Sequence, residues 1–258
     1  MSIDFHAPKN RDTYSSRRAD SGWREAMGRW VDPAGLRVID LGCGGGIYTE
    51  GWAELGAGHV VGVDFSETIL EAAREKTKEF PEISYHCSDA CQTALPDESA
   101  DIVFSRALLH HVKNSQDFFH EAYRLLAPGG VCIIQNRTLA DVTVPGSADH
   151  LRGFFFEAFP KLLAFEQNRR PADEQVRKEM RQSGFTQVTS HQLWEVRRTY
   201  QRWVELERDL GNRTGRSLLH ELTDQELRQL INYIHQKIEG REPIHEQDRW
   251  TVWVGVKG

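Results

Sequence analysis

The chain reads as an α/β protein built on a mostly parallel sheet, and three observations predict this. From Leu36 onward, short apolar runs alternate with helix-length amphipathic segments, the rhythm of right-handed strand–helix–strand crossovers. The runs themselves are nearly continuous in apolar residues, as expected of strands covered on both faces. The first of them ends in four glycines within five positions, Gly42-Cys43-Gly44-Gly45-Gly46, and passes straight into a helical segment. At 258 residues the chain has room for one sizeable α/β domain, alone or with an added subdomain.

Each element follows in order. "LRVIDLG" is a buried strand, "YTEGWAELG" a helix ending at Gly56, and "HVVGVDFS" a second strand. Ser66 is placed to cap the next helix, "ETILEAAREKTKEF", whose Ile69, Leu70 and Ala73 recur at helical spacing. "ISYHCSD" and "ADIVFSRA" are the third and fourth strands. "SQDFFHEAYRLLAPGG" is a helix stopped at Pro128-Gly129-Gly130, and "VCIIQN" is the fifth strand. After Asn136 the rhythm breaks. Residues 138–180 hold the aromatic-rich "LRGFFFEAFPKLLAF" and a helix-like "PADEQVRKEMRQSG"; strand character resumes over 181–198. Helical stretches within 199–248 precede a last alternating strand at 249–258. The late helices therefore read as insertions. In open α/β sheets ligands bind beyond the carboxyl ends of the strands, so such insertions are expected to form a cap there.

Composition excludes several classes. The net charge of −6 argues against a nucleic-acid backbone as main partner, and no apolar run is long enough to span a bilayer. The opening segment, residues 1–35, is polar and reads as helical, with no signal-peptide core. Four scattered cysteines without a CxxC pair fit reduced thiols, and hence a cytoplasmic setting. His110, His111 and His120 lack companions at metal-ligand spacing, so no metal site is expected.

The glycines carry the functional signal. Glycine there permits tight backbone angles and lets the backbone approach a ligand with no Cβ between them. A dinucleotide site needs Gly-x-Gly-x-x-Gly, and counting from Gly42 the last glycine falls on Ile47, which fails. What stands is Asp40-x-Gly42-x-Gly44-x-Gly46. An acid two residues before the first glycine repels pyrophosphate and favours an adenosine-like ligand carrying a positive group.

Here the chain resembles the class I S-adenosylmethionine (SAM) dependent methyltransferases over residues 36–137, and among them bacterial enzymes acting on small molecules, including those of ubiquinone and menaquinone biosynthesis. "VIDLGCGGG", "VVGVDFSETIL", "SDACQTALPDESADIVFSRALLHHV" and "RLLAPGGVCIIQN" are similar to that family's successive motifs, in order. The resemblance implies a Rossmann-like, seven-stranded sheet with helices on both faces, and SAM as cofactor. It places Asp40 and Gly42, Gly44 and Gly46 around the methionyl part of SAM and Asp64 on the ribose. Phe65 and Ile69 would flank the adenine, Asp89 and Ala90 would meet its amino edge, and Ser105 and Arg106 would lie near the transferring methyl. An N-terminal helix closing the site would offer Tyr14 or Arg18, whose alternative is a solvated helix face.

Beyond residue 137 the resemblance thins. Arg137 and Arg152 are candidate anchors for an anionic substrate group, or else salt-bridge partners. Phe155, within Phe154-Phe155-Phe156, is a candidate wall of an apolar pocket, or else core. His111 is the candidate base for an oxygen acceptor, although a loop histidine is more often packed or capping, and that reading is preferred. "QNRRPADEQVRKEMRQ" reads as a solvated helix face. The expected activity is methyl transfer to an O, N or C nucleophile of a small molecule. Its alternatives are a SAM-binding protein without catalysis and a nucleotide-dependent oxidoreductase.

Overall fold

The computed structural model describes residues 18–258. Its first helix, α1 (Ser21–Trp30), starts where the Asp20 carboxylate accepts the Gly22 N–H, and it buries Trp23, Ala26 and Met27. Strand β1 (Arg37–Leu41) follows, then α2 (Ile47–Glu54), β2 (His59–Asp64), α3 (Glu67–Lys76) and β3 (Ile83–Cys87). β4 (Ala100–Arg106) and α4 (Ser115–Leu125) lead into β5 (Leu126–Asn136). Four helices come next: α5 (Leu139–Val142), α6 (Leu151–Ala158), α7 (Lys161–Gln167) and α8 (Asp173–Gln182). The chain ends with β6 (Phe185–Tyr200), α9 (Trp203–Gly211), α10 (Asp224–Lys237) and β7 (Ile244–Lys257).

The seven strands form one sheet in the order β3-β2-β1-β4-β5-β7-β6. β1 to β5 are parallel, and β7 runs antiparallel to β5 with Asn136 opposite Thr251. The fold class expected from the sequence is therefore the one observed.

Two compact units divide the chain. The sheet unit takes in the described residues 18–136 together with Pro171–Leu193 and Thr251–Gly258. Alternation along its strands sends side chains to two cores. Ile39, Leu41, Val63 and Val103 join Phe118, Phe119 and Leu125 of α4 on one face. Val38, Val60, Ile102 and Phe104 join Trp23 and Trp52 on the other. Trp23 meets Tyr48, Trp52 and Phe104 edge to face at 5.0–5.6 Å, and its indole N–H donates to Gln135 Oε1 at 3.1 Å. Each such apolar side chain contributes about 1.5–3 kcal/mol on burial, so this face holds α1 firmly. α8 belongs to the sheet unit because Val176 and Met180 pack into the first core.

The second unit comprises Arg137–Arg170 and Trp194–Trp250. Its core joins Leu151, Phe154 and Phe155 of α6 with Leu206 and Leu210 of α9 and Leu227, Leu230, Ile231 and Ile234 of α10. Pro160 divides the aromatic-rich stretch into α6 and α7. Thr223 and Glu226 form a reciprocal cap that opens α10.

Candidate active site

β1 ends at Leu41, and the chain turns through three left-handed glycines, Gly42, Gly44 and Gly46, with φ of +74°, +52° and +74°. They serve different ends. A Cβ on Gly42 would lie 2.9 Å from the Leu108 side chain, and one on Gly46 would lie 2.4 Å from the Tyr85 hydroxyl, so these two are required by packing. A Cβ on Gly44 would meet nothing within 4 Å. Gly44 therefore presents bare backbone to open space, the condition for a ligand to lie against it.

Two carboxylates flank the turn. Asp64, at the end of β2, accepts the Gly44 N–H on Oδ2 at 3.0 Å and the Ser66 N–H on Oδ1 at 3.0 Å, tying the turn to the start of α3. Ser66 holds the N-cap position, but its side chain makes no cap hydrogen bond; the carboxylate two residues earlier receives its N–H instead. Asp40 is 2% exposed and accepts from the Thr49 hydroxyl at 2.7 Å. Burial raises its carboxyl to about 7; the Thr49 hydrogen bond opposes this, the Asp64 charge adds to it, and the Arg106 charge partly offsets it. Thr49 escaped notice in the sequence, where the only signal was a hydroxyl one turn into the helix behind the glycines.

The remaining candidates lie around these strand ends or within the cores. Phe65 is 49% exposed, an unusual exposure for a phenylalanine next to a buried acid. Ile69 is buried on α3. Asp89 is exposed and accepts the Cys91 N–H at 2.8 Å, with Ala90 half-buried beside it. Ser105 donates its hydroxyl to the Leu41 carbonyl at 2.8 Å, fastening β4 to the end of β1. The Arg106 guanidinium lies 4.5 Å over the Tyr48 ring. His111 is exposed, its ring 4.1 Å from that of His110, and His110 Nδ1 is 3.0 Å from Asn136 Oδ1. Arg18 is exposed and within 3.8 Å of Glu50. Tyr14 lies outside the described residues.

In the second unit, Arg137 and Arg152 share the buried carboxylate of Asp248, and Arg137 also lies 3.8 Å over the Trp250 ring. Phe155 is fully buried in that unit's core. The charge-rich run beginning at Gln167 exposes Glu174, Gln175, Lys178, Arg181 and Gln182 on α8, as the solvated face expected of it does, while Arg170 turns inward. Glu166 just before it is fully buried and bridges Arg169 and Arg170, because the i, i+3 and i, i+4 spacings bring both guanidiniums to one carboxylate. Burial alone would raise the Glu166 carboxyl, but Arg170, with Arg169 and Arg152 behind it, holds it at about 2.

The geometry fits a cationic, phosphate-free ligand. Two acids stand beside an open glycine, and Ile47, where a dinucleotide site needs its third glycine, is buried in the core. Residues 39–134 match the family model described as "Methyltransferase domain". That segment runs from β1 into β5 and is less than half of the chain. The chain is 41% identical over 108 residues to a ubiquinone biosynthesis O-methyltransferase of Maricaulis maris, covering 40% of this chain and 42% of that one. A trans-aconitate 2-methyltransferase of Variovorax paradoxus is 36% identical over 113 residues, 43% of this chain and 42% of that protein. Both matches thus span less than half of the relative's length. Among solved structures, a phosphoethanolamine N-methyltransferase 2 of Haemonchus contortus, determined with phosphomonomethylethanolamine and S-adenosylhomocysteine, superposes with a TM-score of 0.63. It covers 99% of this chain and 61% of that one at 19% identity, a likeness of fold. The segment that matches the methyltransferase model thus contains the turn and the two carboxylates described above.

Proposed function

We propose that the chain is a SAM-dependent methyltransferase acting on a small molecule at an O, N or C nucleophile. The observation that carries this reading is the pair Asp40 and Asp64 beside the open Gly44. Bringing a positive charge to two neighbouring acids relieves their repulsion and the cost of ionising buried Asp40, whereas a pyrophosphate would add to both.

SAM supplies an activated sulfonium methyl, so the protein's task is alignment and exclusion of water rather than activation. The Gly44 backbone would lie along the methionyl part, with the Asp40 charge behind it. Asp64, already oriented by the Gly44 and Ser66 N–H groups, would accept the ribose hydroxyls on its remaining lone pairs. Phe65, exposed beside it, would cover one adenine face, with Asp89 and Ala90 at the amino edge. Arg106 sits on Tyr48 at the end of β4, close enough in field to temper Asp40. For an oxygen acceptor His111, exposed in the loop after β4, would take the proton.

Release of S-adenosylhomocysteine from SAM in the presence of candidate acceptors tests the activity. Turnover with any small acceptor supports the reading; tight SAM binding without turnover across O-, N- and C-nucleophile classes would favour a non-catalytic binder.

A further inference from the structure

Thr49 lies in the first turn of α2 and is fully buried. A threonine inside a helix commonly returns its hydroxyl hydrogen to the backbone one turn earlier. This one donates instead to Asp40 Oδ2 at 2.7 Å, nine residues back and across the glycine turn. The bond therefore ties the end of β1 to the start of α2, and it ends on the acid that precedes the turn. Asp40 is 2% exposed, and among the described residues no other hydrogen bond reaches its carboxylate. With Oδ2 held by α2, Oδ1 is the oxygen left for a ligand.

The neighbouring elements bring further charged or titratable groups to Asp40. Asp64 at the end of β2 adds a like charge, and Arg106 at the end of β4 adds an opposite one. The Cys43 thiol in the turn and the Tyr85 phenol on β3 also feel the Asp40 charge. Burial pushes both of them well above their ordinary values, so they stay neutral near pH 7. The Arg106 guanidinium lies against the Tyr48 ring at 4.5 Å and acts on Asp40 through its field. The Thr49 O–H acts by direct contact, and a donated hydrogen bond favours the charged carboxylate over the neutral acid.

We infer that Thr49 is a positioning residue of the methionyl subsite: its hydroxyl holds the Asp40 carboxylate between β1 and α2 and keeps it ready to meet a cation. That this cation is the one carried by SAM rests on the methyl-transfer reading. Thr49 touches neither donor nor acceptor of the methyl group, since it is fully buried and works through Asp40.

The test is calorimetric titration of the full chain with SAM at pH 6 and pH 8, using the unaltered protein, Thr49→Val and Thr49→Ser. Valine keeps the branched shape and removes the donor. Its introduction should move the Asp40 carboxyl up from about 7 by about one pH unit. SAM selects the ionised form, so Thr49→Val should bind it about tenfold more weakly at pH 6 but only about twofold more weakly at pH 8. Thr49→Ser restores the hydroxyl and should recover most of the loss at pH 6. A packing role alone would give the same deficit at both pH values, with serine no better than valine. The Asp40 carboxyl carbon resonance, followed in the protein without SAM, should titrate at higher pH in Thr49→Val. Should that variant not fold, the Thr49 hydroxyl proton of the unaltered protein should shift as Asp40 titrates. Equal SAM affinity at pH 6, a deficit independent of pH, an unmoved Asp40 titration, or a hydroxyl proton indifferent to it would each overturn the assignment. An unaltered chain that binds no SAM would refute the methyl-transfer reading instead, and the Asp40 titration would still decide whether Thr49 governs this acid.

Discussion

Replacing Asp40 by asparagine separates the charge of this residue from its shape. The amide oxygen can still accept from the Thr49 hydroxyl, as Oδ2 does at 2.7 Å, so the turn should persist. In the unliganded protein burial places the Asp40 carboxyl at about 7 instead of 3.8, which corresponds to about 4 kcal/mol against its ionised form. The folded state therefore holds this proton more tightly than the unfolded chain. Its contribution to stability is present below about pH 4 and is lost as pH rises through about 7. A cationic ligand selects the ionised form. At pH 8 about nine tenths of Asp40 is ionised and at pH 6 about one tenth, so SAM affinity should weaken about tenfold between the two. Titration calorimetry in buffers of different ionisation enthalpy should also show about one proton released on binding at pH 6. The amino group of SAM titrates on its own, and Asp40→Asn, lacking the acid, reports that background. Parallel pH profiles for the two proteins, with equal proton release, would refute the placement of Asp40 beside the bound cation.

Asp64→Ala removes the acceptor of both the Gly44 and Ser66 N–H groups. It should weaken SAM by about ten- to a hundredfold in calorimetry and lower unfolding free energy in urea by about 1.5–3 kcal/mol. Gly44→Val, with φ at +52° and open space around the new side chain, should cost about 1–2 kcal/mol of stability and abolish SAM binding in the same assays. His111→Ala should lower turnover about a hundredfold with SAM affinity unchanged if the exposed imidazole acts as base; unchanged turnover would make it a packing residue. Phe155→Ala empties a fully buried position and should lower stability by about 3–5 kcal/mol, read by thermal or urea unfolding.

The parallel core was legible because its cause is local. Continuous apolar runs such as Val38-Ile39 and Val60-Val61 bury on both faces, and the glycines announce a turn that no other residue can make. The distinct duties of Gly42, Gly44 and Gly46 were not legible, since they depend on Leu108 and Tyr85, which the fold brings in from far along the chain. The second unit was the least legible part. Arg137 and Arg152 reach Asp248 across 111 and 96 residues, a pairing without a local pattern. Glu166 and Arg170 did carry the spacing of a helical ion pair, but the same spacing serves exposed helices, and only the packing of α7 decides that this one is buried. Strands β6 and β7 run longer than their apolar stretches suggest because charged residues such as Glu246 and Asp248 point inward to arginines.

The most direct test of the central claim is titration of the unaltered chain with SAM and, separately, with NADH, alongside Gly44→Val. The account predicts saturable one-site binding of SAM, none of NADH, and loss of SAM binding in the folded variant. Binding of NADH in place of SAM, or undiminished SAM affinity in Gly44→Val, would contradict it.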